Sequence, residues 1–150
     1  MEQMGFVGRV AAEWLPGTRN MRLVEPFTFV DSMGFRWTAP VGYETNGASI
    51  PRILWSIAGS PFDGPYRRAA VIHDWGCDAR PVSSKQVHRM FYDAMLADGV
   101  DQDTATRFYA AVRLFGPRWE LEFEGNALRF LRNVGPSVDE LDVVFERAGL

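Results

Sequence analysis

Cysteine and long apolar runs are scarce in this 150-residue chain. Cys77 is its one cysteine, which excludes an internal disulfide and is typical of a reducing compartment. The sequence contains no run of about 18 apolar residues, so we predict no transmembrane segment. Its first residues also lack the basic region and the apolar stretch of a signal peptide. We therefore expect a soluble protein without an export signal of its own.

A surplus of positive charge is also lacking. The formal net charge is −3, and residues of both signs are mixed along the chain. Nucleic-acid-binding domains present a basic surface, so this composition argues against a nucleic-acid partner. Hydrophobic residues make up 47% of the chain, which is enough to form a core. At this length we predict one domain, 1–150, with a β-rich part (1–40), a motif-bearing helical core (41–116) and a C-terminal helical tail (117–150).

The β-rich part carries the pattern of short strands. Residues 6–14 are predicted as a strand that ends before Pro16-Gly17. Residues 27–30 and 35–38 alternate apolar and polar side chains, and the turn-forming sequence Asp31-Ser32-Met33-Gly34 separates them. We therefore predict a β-hairpin at this position.

Helical periodicity begins in the middle of the chain. A first helix is predicted over about residues 66–77, and it is apolar on most sides, which indicates a central position. A second helix is capped by Ser83 or Ser84 and closes at Gly99, with its apolar residues spaced along one face. The short connection between these helices predicts that they pack antiparallel.

A third helix and the tail complete the predicted fold. The helix begins near Asp101 or Asp103 and stops at Gly116-Pro117. Short helices follow over residues 126–133 and 137–148, the latter opened by a capping-box sequence. The predicted fold class is mainly α (α+β), with a three-helix core, an N-terminal β-hairpin region and short C-terminal helices.

His73 and Asp74 are adjacent in the otherwise apolar first helix. Histidine exchanges a proton near neutral pH, and aspartate is an oxygen ligand suited to calcium. Burial of both groups without partners is costly, so the pair is either a hydrogen-bonded structural feature or a functional site. Cys77 lies one turn further on and is predicted to pack in the core rather than to react as a nucleophile.

His88, near the start of the second helix, is the next candidate. In an antiparallel helix pair it faces His73, while Asp74 points about 100° away, toward the preceding loop. Two imidazoles and a carboxylate also suit zinc, so a zinc site made of His73, Asp74 and His88 is one alternative. A boundary histidine without a role is the other interpretation of His88.

Four motifs in fixed order carry a family resemblance. They are Pro-Val-Gly-Tyr-Glu-Thr-Asn-Gly-Ala-Ser-Ile-Pro (40–51), His-Asp-Trp (73–75), Val-His-Arg-Met-Phe (87–91) and Tyr-Ala-Ala-Val-Arg-Leu-Phe-Gly (109–116). Over about residues 27–116 the chain resembles the domain of unknown function 1353 family of phages and bacteria. The resemblance implies a phage or prophage protein in the host cytoplasm or in a phage particle, where a virion or host protein would be its partner.

The same order is similar, more distantly, to small secreted phospholipases A2 of bacteria and fungi. The matching segments are His73-Asp74-Trp75-Gly76 and Phe91-Tyr92-Asp93-Ala94-Met95. This resemblance implies a phospholipase-A2-like three-helix core and calcium-assisted hydrolysis of a phospholipid or another acyl ester. By position it makes His73 the general base and Asp74 a calcium ligand, with Asn46 and the backbone carbonyl of Gly47 as further ligands.

Two positions depart from the phospholipase pattern. Asn46 replaces a loop aspartate and so removes a negative charge from the calcium site. His88 stands where a carboxylate that orients the base is expected, which makes His73 and His88 the predicted catalytic pair. Three functions therefore remain open: an altered calcium-assisted hydrolase, a zinc hydrolase, and a degenerate site without a cofactor in a non-enzymatic phage accessory or structural protein.

Overall fold

The computed structural model describes residues 3–46, 50–51, 54, 66–120, 142–143, 145–147 and 149. Its strands and helices with defined ends are, in chain order, β1 (Gly5–Val7), β2 (Ala12–Trp14), β3 (Met21–Leu23), β4 (Phe27–Val30), β5 (Arg36–Ala39), β6 (Glu44–Thr45), α1 (Arg67–Ala79), α2 (Ser84–Ala97) and α3 (Gln102–Phe115). Within this described part, no helix has the length and apolar character needed to cross a membrane. The helix predicted over residues 126–133 lies outside the described residues.

The first sheet is antiparallel and has the strand order β1-β4-β5. Phe29 in β4 lies opposite Phe6 in β1 and Trp37 in β5. Asp31 fixes the turn between β4 and β5, because its carboxylate accepts hydrogen bonds from the backbone N–H of Met33 and from indole Nε1 of Trp37, each at 2.9 Å. The predicted hairpin is therefore confirmed.

The second sheet has the strand order β2-β3-β6, again with antiparallel pairs. The prediction of a single strand over residues 6–14 is wrong, because β1 and β2 pair in different sheets. Gly8 lies between them with φ +82°, a left-handed conformation that interrupts an extended strand. The resulting change of direction brings β2 to β3 and allows β6 to pack against α1.

Helices α2 and α3 begin close to the predicted positions because polar caps define their starts. The Ser83 hydroxyl accepts a hydrogen bond from the backbone N–H of Gln86 at 3.3 Å, and the Gln86 side chain accepts one from the backbone N–H of Ser83 at 3.1 Å. This reciprocal pair is a capping box at the start of α2. Asp101 caps α3 by accepting a hydrogen bond from the backbone N–H of Thr104 at 2.9 Å.

Helices α1 and α2 pack antiparallel, which confirms the prediction. Asp98, at the end of α2, accepts hydrogen bonds from Arg68 (2.6 Å) and from the backbone N–H of Ala69 (3.1 Å) at the start of α1. At the opposite end of the pair, Gly76 in α1 lies against Val87 in α2. Because Gly76 has no Cβ, the two helices approach closely near the end of α1.

The prediction of a mainly α fold is wrong, because the strands form part of the core. Phe27, Phe29 and Trp37 are at most 1% exposed and belong to the same buried cluster as the apolar faces of the helices. The first sheet packs against α1 and α2. The described part of the chain is therefore an α+β fold of two small antiparallel sheets and three main helices. Short strands give weaker periodic signals than helices, which is why the sequence pattern understated them.

Asp142 connects the C-terminal part of the chain to the helices. The described residues within 142–147 have helical backbone, as predicted for the last helix. The Asp142 carboxylate pairs with Arg89 of α2 at 2.6 Å and with Arg113 of α3 at 2.5 Å, and it accepts a hydrogen bond from the hydroxyl of Tyr109. Both guanidinium groups are buried, so this shared carboxylate compensates charge inside the core.

The contact at Gly76 yields a stability prediction. A Cβ at this position would lie 2.9 Å from Cγ1 of Val87. We expect Gly76→Ala to lower the free energy of unfolding by about 1–3 kcal/mol, because the overpacking outweighs the better helix propensity of alanine. Urea denaturation in the wild-type and Val87→Ala backgrounds measures this, and the loss should shrink when Val87 is truncated. Equal losses in both backgrounds would show that the helix contact is not the cause.

Candidate functional site

A hydrogen-bonded pair of histidines lies where α1 contacts α2. Nε2 of His73 and Nδ1 of His88 are 2.8 Å apart, so the predicted facing positions are confirmed. The two residues are 0% and 1% exposed. The Phe91 ring packs on the His73 ring with 4.5 Å between their centroids. The helix pair thus encloses both imidazoles in a largely apolar environment.

The segment that follows α3 holds His88 from the other side. Nε2 of His88 donates a hydrogen bond to the carbonyl oxygen of Pro117 at 2.8 Å. The backbone of Trp119 attaches this segment to α2 through hydrogen bonds of 2.9 and 3.1 Å with the Ser84 hydroxyl. A Cβ at Gly116 would clash with the carbonyl oxygen of Val112 and lie 3.3 Å from Cε1 of His88, so glycine leaves room for both. These contacts position the Pro117 carbonyl on His88.

The hydrogen-bond partners assign the proton positions on both rings. A carbonyl only accepts, so Nε2 of His88 carries a proton and its Nδ1 is the acceptor in the neutral ring. Nε2 of His73 then donates to Nδ1 of His88, and Nδ1 of His73 has a lone pair and no proton. This Nδ1 is buried, and no donor in the described part of the chain reaches it. A buried acceptor without a partner is uncommon and calls for a ligand, a water or a catalytic role.

Both histidines are held in their neutral form. Burial, and then the neighbouring His88, lower the pKa of His73 well below its usual value. Burial lowers the pKa of His88 to about 4; the Pro117 carbonyl opposes this shift, while the positive charges of Arg113 and Arg118 add to it. At neutral pH the pair therefore carries no charge, and the lone pair on His73 is available.

Asp74 points away from the histidine pair, toward β6. Its Oδ2 accepts a hydrogen bond from the Thr45 hydroxyl and lies 3.1 Å from the hydroxyl of Tyr43. The same Tyr43 hydroxyl lies 2.7 Å from Oδ2 of Asp78, one turn further along α1. Burial, and then the Asp74 carboxylate, raise the pKa of Tyr43, so this phenol stays a hydrogen-bond donor. The side chains of the adjacent residues His73 and Asp74 thus point to two different sides of α1.

Asp74 and Asn46, two of the predicted calcium ligands, line one open cleft of about 460 Å³. Gly47, the third, lies outside the described residues. The cleft is lined by Asn20, Glu44, Thr45, Asn46, Asp74, Asp78 and Pro117. Its carboxylate, amide and hydroxyl oxygens are the donor types that calcium prefers, so the chemistry of this lining fits the ion. Pro117 also lines the cleft, which places the backbone that bonds His88 at its wall.

Cys77, rather than Asp74, is the third side chain beside the two histidines that is able to bind a metal. Among the described residues, ligand atoms of His73, Cys77 and His88 lie within 4.8 Å of one another. Sγ of Cys77 is 3.7 Å from Nε2 of His73. The structure thus groups Cys77, rather than the predicted Asp74, with His73 and His88. The spacing of four residues between His73 and Cys77 was the signal that could have found it.

The spacing of the sequence motifs does not reveal the contacts of two other polar groups. The Pro117 carbonyl could not be anticipated, because a backbone acceptor leaves no signature in the sequence. Asp93, more than one turn beyond His88 on α2, is not hydrogen-bonded to His73 and is used elsewhere: its Oδ2 accepts a hydrogen bond from the Ser32 hydroxyl at 2.8 Å. Within the described residues, the direct polar partner on α2 for His73 is therefore His88.

The lowered pKa of His88 predicts an acid-sensitive stability. Its pKa rises from about 4 in the folded state to an ordinary value near 6.5 on unfolding, so the unfolded chain binds more protons between these values. We expect the free energy of unfolding to fall by on the order of 2 kcal/mol from this group as the pH decreases from about 7 to 5. His73 acts in the same direction.

The measurement is urea denaturation across this pH range for the wild type and for His88→Gln. The glutamine variant keeps a polar side chain but does not titrate, so its stability should depend less on pH. Asp93 and Asp98 have pKa values raised by burial and act in the opposite direction, but their contribution cancels in the difference between the two proteins. Identical pH slopes would contradict the assignment of this effect to His88.

Comparison with known proteins identifies a family. Residues 21–112 match the family described as "Protein of unknown function (DUF1353)". Two uncharacterized proteins of Sinorhizobium fredii are similar to the chain. The protein y4iH is 43% identical, and the match covers 76% of this chain and 48% of y4iH. The protein y4jT is 44% identical, and the match covers 67% of this chain and 30% of y4jT. The chain thus spans half or less of these curated relatives. No solved structure matches, and the resemblance to phospholipases A2 stays a prediction. The chain belongs to the DUF1353 family.

Proposed function

We propose that this domain is a hydrolase for acyl esters in which His73 acts as the general base through Nδ1. One observation carries the proposal: Nδ1 of His73 is a buried lone pair for which the described residues supply no donor. The tautomer is fixed by the hydrogen bonds from His73 to His88 and from His88 to Pro117. A base held in this way can accept a proton from a water molecule that attacks an ester carbonyl.

His88 acts as a positioning residue in this proposal. Its Nδ1 accepts a hydrogen bond from the Nε2–H of His73 at 2.8 Å. This bond keeps the proton of His73 on Nε2, so Nδ1 of the same ring stays unprotonated. When His73 takes up a second proton, the positive charge is shared along the hydrogen bond with a neutral ring. A neutral partner stabilises that charge less than a carboxylate does, so we expect a slow enzyme.

The cleft beside Asp74 supplies the second part of the proposed site. Asp74 and Asn46 would hold a calcium ion together with other oxygen atoms of the lining. A calcium ion held there would supply polarisation of the ester carbonyl and stabilisation of the oxyanion. Thr45 and Tyr43 hold the Asp74 carboxylate on this side of α1 through hydrogen bonds. The oxygen-rich cleft thus supports calcium as the cofactor of the hydrolase.

The substrate class and the biological setting rest on the sequence. A phospholipid is the first substrate to test, because the motif order resembles phospholipases A2. A role in a phage or prophage, in the host cytoplasm or in a phage particle, stays a prediction from the family resemblance. This chain spans 48% and 30% of the length of its two curated relatives, so each of those proteins is longer than this chain.

Release of fatty acid from mixed phospholipid micelles tests the proposal. We expect release with calcium, none with a chelator, and a rate at least about 100-fold lower for His73→Ala, because the base is removed. Val71→Ala is the matched control: it truncates a residue of α1 that is equally buried and has no acid–base chemistry, so its activity should persist. Circular dichroism and melting curves establish that both variants are folded.

The competing function is a non-enzymatic accessory or structural protein that binds another protein. Absence of ester hydrolysis in the presence of calcium would contradict the hydrolase. A stable complex with a virion or host protein, isolated from the same preparation, would then favour the alternative. Activity that survives in His73→Ala would also contradict the proposed base.

A matched pair of substitutions at His88 tests its role. His88→Asp introduces a carboxylate opposite His73, whereas His88→Asn has the same size and no charge. We expect the aspartate variant to hydrolyse esters on the order of tenfold faster than the asparagine variant, because a negative charge stabilises the protonated base. Initial rates as a function of pH measure this difference. Equal rates for the two variants would contradict an electrostatic partner at this position.

A further inference from the structure

We infer that His73, Cys77 and His88 form a binding site for one divalent metal ion of the zinc class. Cys77 follows His73 by one helical turn on α1, so their side chains share a face. His88 meets that face from α2. The candidate ligand atoms of the three residues lie within 4.8 Å of one another, and all three residues are buried.

The donor set selects the type of metal. Two imidazole nitrogens and a thiolate suit zinc and cobalt, whereas calcium and magnesium prefer oxygen ligands. The described residues supply three ligands, so the fourth position of a tetrahedral ion would be taken by water or by another small ligand. This site is therefore chemically distinct from the oxygen-lined cleft at Asp74, although the two begin at adjacent residues.

Two of the three ligand distances are close to those of a tetrahedral centre. With zinc–nitrogen bonds of about 2.0–2.1 Å and zinc–sulfur bonds of about 2.3 Å, tetrahedral ligands lie about 3.3 Å (N to N) and about 3.6 Å (N to S) apart. Sγ of Cys77 is already 3.7 Å from Nε2 of His73. The two imidazole nitrogens, at 2.8 Å, must separate by about half an ångström. The third pair, Sγ of Cys77 and the ligand nitrogen of His88, lies within 4.8 Å, so binding also requires the Cys77 side chain and the His88 ring to move toward each other.

Metal binding changes the positions of two protons. The Cys77 thiol releases its proton to solvent when the thiolate binds. The proton on Nε2 of His73 moves to Nδ1, because Nε2 must present its lone pair to the metal. The hydrogen bond between the histidines is then replaced by two metal–nitrogen bonds. The lone pair on Nδ1 of His73 is lost at the same time, so the metal-bound form has no base at this position.

Cobalt titration of the chelator-treated protein tests the site. We expect a thiolate-to-cobalt charge-transfer band in the near ultraviolet and strong visible bands of a four-coordinate ion, which saturate at one equivalent. Zinc should then remove both signals, because it binds such sites more tightly than cobalt. If the wild-type protein develops no charge-transfer band, the inference is overturned whatever the variants do.

Two variants test the choice of ligands. Cys77→Ser should lose the charge-transfer band and bind zinc at least about tenfold more weakly, since a soft thiolate is replaced by a hydroxyl. Asp74→Asn is the matched control on the same helix and should keep the band and the affinity, because its side chain faces β6. A band that persists in Cys77→Ser, or one that is lost in Asp74→Asn, would overturn the assignment.

Inhibition by zinc links the site to the proposed hydrolase, and this arm alone rests on the proposed function. One equivalent of zinc should stop ester hydrolysis in the wild type, because metal and base use the same ring, and half-inhibition of Cys77→Ser should require at least about tenfold more zinc. Cobalt binding by a wild-type protein without ester hydrolysis would support the metal site and count against the hydrolase. Hydrolysis without a cobalt signal would do the reverse.

Discussion

The hydrogen bond between His73 and His88 is the contact on which the arrangement of the site depends. It joins α1 to α2 within the core, at 2.8 Å, where Gly76 lets the two helices come close. Because Nε2 of His88 donates to the Pro117 carbonyl, each ring can carry its proton in one position only. A backbone carbonyl outside the helix pair therefore decides which nitrogen of His73 keeps a free lone pair.

His73 and His88 can be buried together because both imidazoles are neutral. A carboxylate in place of His88 would bring a negative charge into a region that also holds the Phe91 ring, and its desolvation would be costly. Two neutral imidazoles need only hydrogen bonds, and burial together with the charge of Arg113 keeps His88 unprotonated. The same neutrality weakens the base, since no negative charge stabilises a protonated His73. The metal-free pair thus combines a lone pair that is available at neutral pH with a low affinity for the proton.

The sequence predicted the histidine pair because its position follows from local rules. Helical periodicity, a capping serine and a short connection are sufficient to place His73 opposite His88. The hairpin at Asp31 was predictable for the same reason, since a turn signal lay between two alternating segments. The division of residues 6–14 into two sheets was not predictable, because a strand's partner depends on the whole fold. Pro117 was missed because a backbone carbonyl has no residue type to recognise.

Helix α1 separates two kinds of donor chemistry. His73 and Cys77 share one face, while Asp74 and Asp78 share the next, because residues four apart on a helix superimpose and adjacent ones diverge by about 100°. The oxygen donors therefore gather with Tyr43 at the strand side, and the nitrogen and sulfur donors gather at α2. This geometry explains why Asp74 cannot be treated as the partner of His73 despite being its neighbour in sequence. It also means that a hard cation beside Asp74 would leave the His73 lone pair available, whereas a soft cation at Cys77 would consume it.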